Sequence, residues 1–431
     1  MAEMLPTNFR HIQQSTPINK NHMNLLFLTP NLPHPPTQGS SIRNWGLISS
    51  LSRNHRISLL TFVNQSNIVS NHLSNCCYTV EVAKTPARNM LQRISTMVLS
   101  NKPDMSERLS SKEYSMKLHH LLDNQTLDAI HIEGLEMTPY LTQISDYYKN
   151  KTNRPLLIYD AHNAETVIQR RALNTDILEP KRWPTALYSI IQLRRIRNLE
   201  LEACLQADTV ICVSNEDSTA LKNIIPTLNP VILPNGIFLS DYPESTQRAK
   251  ISPPVLLFSG KMDYRPNIDA VVWFANEIFP SVQQLHDKAK FLIVGKSPTG
   301  RVLKLDKEPG ITVTGAVNDM RPYIAAATVC VVPLRMGGGT RFKILEAMAL
   351  SRPIISTTIG AEGFPVTNGK EIIIADSPED QIRAIDSLLC QEHTRTHLGK
   401  EGRTLVSNQY QWESIVSNMK NVYSSLLSNA N

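Results

Sequence analysis

Short apolar runs rich in valine, isoleucine and leucine alternate with longer amphipathic stretches along the first half of the chain. Continuous apolar runs are typical of strands that are buried on both faces of a parallel sheet, and the amphipathic stretches predict the helices that cover it. The predicted strands of this half are Leu25–Thr29, Ile57–Phe62, Ala129–Ile132, Pro155–Tyr159, Thr209–Val213 and Val231–Leu233.

The same pattern begins again after Pro234-Asn-Gly236. Helical patterns such as Asn267–Phe279 and Phe342–Leu350 separate the new strands. An α/β fold with two Rossmann-like, doubly wound domains in tandem is therefore expected. The predicted strands of the second half are Val255–Phe258, Phe291–Val294, Ile311–Val313, Val329–Val332, Pro353–Ser356 and Ile372–Ile374.

This pattern divides the chain into a polar tail (1–23), two domains (24–236 and 237–410) and a final segment (411–431). The final segment carries apolar residues at helical spacing from Trp412 onwards, which predicts a last helix packed across the domains. Loops that leave the carboxyl ends of parallel strands converge on a cleft, so both domains are expected to contribute to one site.

Composition narrows the class of protein. With 431 residues, 41% hydrophobic and 19% charged, the chain is neither wholly disordered nor fibrous. Its net charge of +6 favours anionic partners, but the excess is modest for the length and not arranged in long runs. This charge fits phosphate-bearing substrates or an anionic bilayer as well as nucleic acid, although no nucleic-acid partner is expected.

Three further features suggest a cytoplasmic protein that is soluble or peripheral at the inner face of a membrane. The six cysteines show no C-x-x-C spacing, which favours reduced, structural thiols. The first 23 residues lack the apolar stretch of a secretory signal. No apolar run reaches the roughly 18 residues that a membrane-spanning helix needs.

One segment is the most informative for chemistry: Pro333-Leu-Arg-Met-Gly-Gly-Gly-Thr-Arg-Phe-Lys-Ile-Leu-Glu-Ala-Met-Ala-Leu350. It predicts a strand end, a glycine-rich turn and the opening of a helix, where backbone amides and the helix dipole favour phosphate or sugar oxygens. Glu346 lies about one turn into that helix, where a carboxylate can accept hydrogen bonds from two adjacent ribose hydroxyls. By itself, a glycine triplet fits a plain helix entry equally well.

The whole block resembles the signature of glycosyltransferase family 4, the group 1 glycosyl transferases, and the resemblance extends over almost the entire chain. It implies a retaining, metal-independent hexosyltransferase of the two-domain GT-B fold. The N-terminal domain would face the acceptor and the C-terminal domain would bind a nucleotide-sugar donor. The other matching blocks are Leu26–Pro33 with Gly39, Asp160–Asn163, Ala207–Ser214, Leu233–Gly236, Phe258–Lys261, Arg265–Asn267, Gly315–Val317 and Arg352–Phe364.

Carried over residue by residue, the resemblance implies that Glu346 binds the donor ribose. It implies that Lys261, assisted by Arg265, neutralises the diphosphate. Fixed cations stabilise a leaving diphosphate without a metal ion, so no metal or other cofactor is expected. An exposed surface lysine and a helix-entry arginine are the plain alternatives for these two residues. The other donor-binding candidates are Gly39, Gly295, Val317, Gly337, Gly338, Gly339, Thr340 and Lys343.

His162 follows an apolar strand and is therefore expected at the cleft, where the corresponding family histidine contacts the transferred sugar. A structural histidine is the plain alternative. On the acceptor side, Arg43 is expected on the first turn of a helix facing the cleft, and Glu133 on the rim at the end of another strand.

One departure from the family pattern concerns the donor sugar. Many members carry two glutamates separated by seven residues, and the first would fall at Gly338. The carboxylate that usually grips the donor sugar is thus missing. We expect altered donor-sugar recognition, with Arg341 or Lys343 compensating, more than lost activity.

Two segments bear on the acceptor. Asn89–Leu99 has apolar residues at helical spacing with basic residues around it, which fits a bilayer or a lipid-linked acceptor, although a helix packed on its own domain is favoured. Arg194, Arg195 and Arg197 are expected on a solvated helix face, with Leu193, Ile196 and Leu199 on the buried side.

The expected partners are a nucleotide-sugar donor and a glycan, lipid-linked or small-molecule acceptor, with peripheral membrane association left open. A sugar-nucleotide epimerase of similar architecture is the rival enzyme, and a catalytically degenerate nucleotide-sugar-binding subunit is the non-catalytic rival. A nicotinamide oxidoreductase is disfavoured because no G-x-G-x-x-G follows the first strand.

Overall fold

The computed structural model describes residues 22–36, 39–64, 69–89, 95, 100–177, 183–339 and 341–429. Within these ranges the strands form two parallel sheets. The first sheet is seven-stranded with the order β3-β2-β1-β4-β5-β6-β7, and it forms the centre of the N-terminal unit. Its strands are β1 (Asn24–Thr29), β2 (Arg56–Val63), β3 (Thr79–Lys84), β4 (Ala129–Glu133), β5 (Leu156–Ala161), β6 (Thr209–Cys212) and β7 (Val231–Ile232).

Helices cover both faces of this sheet, because each connection between neighbouring parallel strands must cross back over a face. Buried apolar residues form a separate cluster on each face. The helices of this unit are α1 (Gly39–Leu51), α2 (Asn71–Cys76), α3 (Asp104–Glu107), α4 (Lys112–Asn124), α5 (Thr138–Tyr148), α6 (Glu165–Ile177), α7 (Trp183–Gln206) and α8 (Asn215–Lys222), with a 3-10 turn at Leu135–Met137.

The second sheet, in the C-terminal unit, has six strands among the described residues, in the order β10-β9-β8-β11-β12-β13. All its strand pairs are parallel. Its strands are β8 (Val255–Ser259), β9 (Lys290–Val294), β10 (Ile311–Gly315), β11 (Val329–Val332), β12 (Ile354–Ser356) and β13 (Ile373–Ile374).

The helices of the second half surround this sheet and enclose one large apolar core. A π-helical turn at Phe274–Ile278 and 3-10 turns at Leu239–Asp241 and Lys304–Lys307 complete the regular structure. The helices are α9 (Arg265–Trp273), α10 (Phe279–Leu285), α11 (Gly300–Leu303), α12 (Arg321–Ala326), α13 (Phe342–Ala349), α14 (Pro378–Cys390), α15 (Glu392–Gln409) and α16 (Trp412–Asn429).

The α/β fold class with two doubly wound units is confirmed, and every strand predicted from the sequence is present. The pattern missed β3, an edge strand whose side chains are mostly half-buried and include Glu81 and Lys84. The single helix predicted over Asn267–Phe279 is interrupted by the π-helical turn, and a new helix begins just before Pro280, which cannot donate a backbone hydrogen bond.

The last helix, α16, packs on the N-terminal unit although it follows the C-terminal one. Trp412 at its start is fully buried in the core beneath the first sheet. The indole lies so close to α1 that a Cβ built on Gly46 would be 1.9 Å from Trp412 Cε2. The backbone at Ile237 also pairs with that at Gln411, so the two segments that connect the units lie next to each other.

Both strand orders reverse direction next to their first strand, between β1 and β4 and between β8 and β11. Crevices open outside the carboxyl ends of the strands at such switch points and are the usual ligand sites of doubly wound sheets. A ligand site is therefore expected where the carboxyl ends of β1 and β8 face each other.

Candidate active site

A cavity of about 270 Å³, here called the interface cavity, lies between the two units. The N-terminal unit contributes Gly39 and His162 to its wall, and the C-terminal unit contributes Gly338, Gly339 and Phe342. A Cβ built on Gly39 would lie 3.8 Å from the Phe342 ring, so the N-termini of α1 and α13 meet here. Two helix N-termini directed at one cavity favour an anionic ligand.

His162 lies just beyond β5, and its Nε2 is 3.0 Å from the Glu133 carboxylate at the end of β4. Burial opposes ionisation of Glu133, but the nearby His131, 3.6 Å away, and the hydrogen-bonded His162 outweigh it and hold the pKa of Glu133 at about 2. Burial likewise lowers the pKa of His162, whereas the charges of Glu133 and Asp160 raise it, and the net shift is upward. The pair thus favours a protonated His162 held in one orientation.

The structure corrects the rim position predicted for Glu133. Its side chain is fully buried and does not line the interface cavity. In the orientation that satisfies its amide, Asn44 also donates to Glu133 Oε2, over 2.9 Å. Glu133 therefore acts on His162 from behind, because the strand end turns the carboxylate inward.

Arg43 lies at the cleft, near the start of α1, but it is not available to an acceptor substrate. It borders the interface cavity, but the residue is only 1% exposed and its guanidinium donates hydrogen bonds to acceptors within the protein. Arg43 Nη2 lies 2.8 Å from Asp160 Oδ2, and Nη1 donates to the Leu233 carbonyl and to Asn235 Oδ1. Because its donors already bind protein groups, this arginine holds β5 and the Leu233–Asn235 segment together and does not contact an acceptor substrate.

The glycine-rich turn of the C-terminal unit rests directly on α6 of the N-terminal unit. A Cβ on Gly338 would lie 2.6 Å from Ile168 Cγ1, and one on Gly339, whose φ is +73°, would lie 2.0 Å from Asn163 Oδ1. Arg171 Nη1 donates to the Gly337 carbonyl over 2.7 Å. Only residues without a side chain allow this approach of the two units.

Ion pairs reinforce the same contact. Arg171 forms a bidentate pair with Glu362, each bond 2.6 Å long. Arg265 Nη1 lies 2.9 Å from Asp176 Oδ1 at the end of α6, so the arginine predicted to assist the diphosphate is engaged across the interface. Arg341, predicted to replace the missing family carboxylate, folds back and donates to the carbonyls of Gly338 and Gly339.

Glu346 lies on α13, and its carboxylate accepts a hydrogen bond from the Tyr242 hydroxyl over 3.0 Å. Burial raises the pKa of Glu346, whereas Tyr242 and Lys343 oppose this shift. A carboxylate that is oriented by one tyrosine and retains further acceptor sites can bind neighbouring hydroxyls.

Lys343 lies on the first turn of α13, and its side chain reaches the carboxyl end of β8, close to the turn that contains Gly260. Its Nζ is 3.0 Å from Asn267 Oδ1 and 3.7 Å from the centre of the Phe258 ring. Burial, assisted by the charge of Arg341, lowers the pKa of Lys343 well below its ordinary value. Lys343 forms no ion pair with a carboxylate within the described part of the chain, so an anion arriving beside this amine would favour its protonated form.

Lys261 follows Gly260 in the same turn. It is 47% exposed and pairs with Asp263 over 3.2 Å. Gly295 packs against this turn so closely that a Cβ there would lie 1.7 Å from the Gly260 carbonyl oxygen. Lys261, Lys343 and Gly295 are thus brought together around the Gly260 turn, at the ends of β8 and β9.

Two of the remaining donor-binding candidates are less informative. Val317 follows β10 and is half-buried against the apolar core of the C-terminal unit. Thr340 lies outside the described residues.

The structure adds residues that sequence reasoning did not select. Asn163 and Asn235 line the interface cavity and lie within motifs that had drawn attention for other reasons. Glu165 also lines it, and burial, with the nearby charge of Glu136, raises the pKa of Glu165 to about 7. Tyr242 is 104 residues from Glu346 and carries no local signal.

Glu133, Asp160 and His162 place one potential ligand atom each within 4.8 Å of one another, which is close enough for a metal ion. The Arg43 guanidinium shares the Asp160 carboxylate. A fixed positive charge at that distance opposes a second cation.

Two parallel doubly wound sheets with strand ends facing one cavity define an α/β protein of the GT-B architecture. Residues 253–391, which contain all six strands of the second sheet and helices α9 to α14, match the family model of the glycosyl transferases group 1. This segment contains Lys261, Lys343 and Glu346.

The chain is similar to a GDP-mannose-dependent alpha-(1-6)-phosphatidylinositol monomannoside mannosyltransferase of Mycobacterium tuberculosis. The two are 28% identical over 155 residues, which cover 32% of this chain and 40% of the relative. The matches to the first curated relatives cover only 31 to 40% of those proteins' own length.

Solved structures share the fold over nearly the whole chain. A sucrose-phosphate synthase from Thermosynechococcus elongatus superimposes with a TM-score of 0.68 at 17% identity, covering 94% of this chain and 100% of that one. HepE of Anabaena, solved in complex with UDP and glucose, gives a TM-score of 0.60 at 14% identity over the same fractions. At these identities the similarity establishes the fold.

Among the described helices, none combines the length and the apolar character needed to cross a membrane.

Proposed function

We propose that the protein is a glycosyltransferase that moves a sugar from a nucleoside diphosphate sugar to an acceptor hydroxyl, with retention of anomeric configuration. The observation that carries the proposal is the interface cavity, where Gly39 and His162 face Gly338, Gly339 and Phe342. The group 1 match over 253–391 and the UDP and glucose bound by HepE support a nucleotide-sugar donor.

In this proposal the C-terminal unit binds the nucleotide half of the donor. Glu346, oriented by Tyr242, accepts hydrogen bonds from the ribose hydroxyls. Lys343 and Lys261 lie beside the diphosphate, and the N-termini of α1 and α13 direct backbone N–H groups at it. The nucleotide would thereby position the sugar at the interface cavity.

The reaction breaks the bond between the anomeric carbon and the diphosphate oxygen, and negative charge grows on the leaving group. Fixed lysines and helix N-termini stabilise that charge more strongly in the transition state than in the ground state. His162, held by Glu133, contacts the transferred sugar. We propose that the chemistry needs no metal ion, because Arg43 places a fixed cation beside the nearest carboxylate cluster.

The acceptor belongs to one of three classes, a glycan, a lipid-linked saccharide or a small molecule. We place the protein in the cytoplasm, a proposal supported by the absence of disulfides among its cysteines, all six of which the structure describes.

A donor screen tests the proposal. Thermal unfolding is followed with UDP-, GDP- and ADP-sugars, since a ligand at 100 times its Kd stabilises the fold by about 2.7 kcal/mol. The best donor is then incubated with candidate acceptors, with and without EDTA, and the anomeric configuration of the product is read by NMR. Retention in EDTA is the expected result.

Other outcomes separate the rivals. An inverted product contradicts the retaining mechanism, and a strict requirement for manganese or magnesium contradicts the metal-independent one. Epimer formation without acceptor identifies an epimerase. Tight donor binding without turnover on any acceptor class favours a binding subunit.

A further inference from the structure

The N-terminal half of α7 has its apolar residues outward and its polar residues inward. Trp183, Leu187 and Ile190 are 62%, 63% and 50% exposed, whereas Ser189 and Gln192 are only 4% and 3% exposed. A surface helix normally buries its apolar face. This half of α7 therefore exposes the side that a water-facing helix would hide.

The outward residues form one continuous surface. Leu187 lies four residues after Trp183, and Ile190 and Ile191 lie three and four residues after Leu187, so the four share one face of the helix. We call these four residues the apolar stripe. Six of the thirteen large hydrophobic side chains that are exposed in the described part of the chain fall within residues 177–191. Such clustering marks an interaction site, in contrast to scattered exposed residues.

Charge indicates the kind of partner. Residues 183–199 contain three arginines and no aspartate or glutamate. As predicted from the sequence, Arg194 and Arg197 are exposed while Ile196 and Leu199 are buried. Arg194 continues the line of the apolar stripe one turn further along α7. An apolar face bordered by arginines matches an anionic bilayer, whose acyl region takes the apolar groups and whose phosphates take the guanidinium groups.

The inner side of α7 connects this surface to the cleft. Gln192 Oε1 accepts a hydrogen bond from the Asp104 backbone N–H over 3.1 Å. Asp104 lines a cavity of about 510 Å³ at the strand ends of the N-terminal unit, and Glu136 lines both that cavity and the interface cavity. A membrane docked through the outward residues would thus lie on the other side of α7 from a cavity that shares Glu136 with the interface cavity.

We propose that the apolar stripe of α7 docks the protein on an anionic lipid bilayer. The stripe lies in the bilayer interface parallel to the membrane plane, with Arg194 and Arg197 among the headgroups. The sequence analysis considered Asn89–Leu99 for membrane binding and favoured a helix packed on its own domain. That segment, apart from Asn89 and Ser95, lies outside the described residues, and the inference rests on α7 alone.

Vesicle flotation tests the inference on the full chain without any nucleotide sugar, so its outcome is independent of the proposed function. The wild type is expected to float with equimolar phosphatidylcholine–phosphatidylglycerol vesicles. The double variant Leu187→Asn/Ile190→Asn should partition on the order of a hundredfold more weakly, because two side chains lose their apolar burial. The matched control is Leu285→Asn/Leu303→Asn, which changes two exposed leucines of the C-terminal unit and should float like the wild type.

Two further measurements resolve the mode of binding. Tryptophan emission should shift to shorter wavelength when anionic vesicles are added, and the shift should disappear in Trp183→Phe. Arg194→Gln/Arg197→Gln should weaken binding to anionic vesicles at least tenfold and leave binding to phosphatidylcholine alone unchanged, because the lost contacts are electrostatic.

The inference is overturned if the wild type does not bind anionic vesicles, or if the stripe variant and its leucine control bind equally. Light scattering after size exclusion tests whether a second copy of the chain binds this surface instead. A dimer that the stripe variant abolishes would assign the surface to a second copy of the chain. Circular dichroism of each variant establishes that it is folded, which is expected because the changed side chains are exposed.

Discussion

Gly338 and Ile168 lie in direct contact across the cleft, and a Cβ at position 338 would approach Ile168 Cγ1 to 2.6 Å. The family pattern places a glutamate at this position. A side chain there does not fit while α6 rests on the glycine-rich turn, so the absence of the glutamate and the close contact of the two units are linked. The arrangement accounts sterically for the departure that the sequence showed.

Gly338→Ala should therefore hinder closure of the units. The added methyl overlaps Ile168, and overpacking of this kind typically costs about 1 to 3 kcal/mol, on the order of tenfold in kcat/KM. Ile168→Ala in the same chain should restore most of the activity because it removes the overlapping atoms. Gly300→Ala, at a position with open space around it, is the control. Steady-state kinetics are measured for these three variants and for Ile168→Ala alone. Additive losses in the double variant would contradict the contact.

Lys261→Ala should slow transfer without unfolding the protein. Removing one preorganised contact to a developing charge typically costs about 2.7 to 4 kcal/mol, a hundredfold to a thousandfold in kcat. Lys290→Ala is the control, because Lys290 is exposed at the opposite end of its strand, away from the cleft. Single-turnover kinetics with saturating donor measure the effect. Wild-type turnover would make Lys261 a surface residue paired only with Asp263.

Lys343 predicts a pH dependence of nucleoside diphosphate binding. Burial lowers its pKa in the free protein, and a bound diphosphate would raise it again. Between these two pKa values binding takes up a proton, and affinity falls as the pH rises through that interval. Calorimetry in buffers of different ionisation enthalpy counts the protons. Lys343→Met should abolish the uptake and Lys261→Ala should retain it; uptake that persists in Lys343→Met assigns the proton elsewhere.

Glu346→Gln should weaken the donor and the free nucleoside diphosphate together. The amide keeps one acceptor oxygen but loses the charge, and a hydrogen bond to a charged group contributes about 1.5 to 3 kcal/mol, so Kd should rise about tenfold or more. Tyr242→Phe should have a smaller effect in the same direction, because Glu346 then loses its orienting hydroxyl.

The control for this pair is His162→Ala, which should slow transfer and leave diphosphate affinity nearly unchanged. Isothermal titration with the free diphosphate measures all three variants once circular dichroism shows that they are folded. If Glu346→Gln binds the diphosphate as tightly as the wild type, Glu346 does not bind the ribose.

Local pattern was sufficient for the architecture of this protein. Strands such as β1 and β11 are continuous apolar runs because both faces of a parallel sheet are covered by helices. This requirement can be recognised from consecutive residues alone. The glycine triplet before α13 likewise predicts a turn in which the backbone can approach a ligand or a neighbouring element closely. Edge strand β3 escaped because an edge is covered less completely and its sequence is mixed.

Partners distant in sequence were decided only by the tertiary structure. Arg43 and Asp160 are 117 residues apart, and their pairing buries an arginine that its position on the first turns of α1 had placed in the cleft. Tyr242 reaches Glu346 across 104 residues. Spacing along one element predicts which residues share a face, whereas the packing of other elements determines whether that face meets a ligand, a neighbouring unit or solvent.

The sequence by itself determined two doubly wound units and the strand ends at which a site would form, because periodicity and apolar runs are local properties. Only the tertiary structure decided that α6 fills the space of the family glutamate, that Glu133 acts behind His162, and that α7 turns its apolar residues outward. Those outcomes depend on which surfaces the two units present to each other, and no single segment of the chain encodes that.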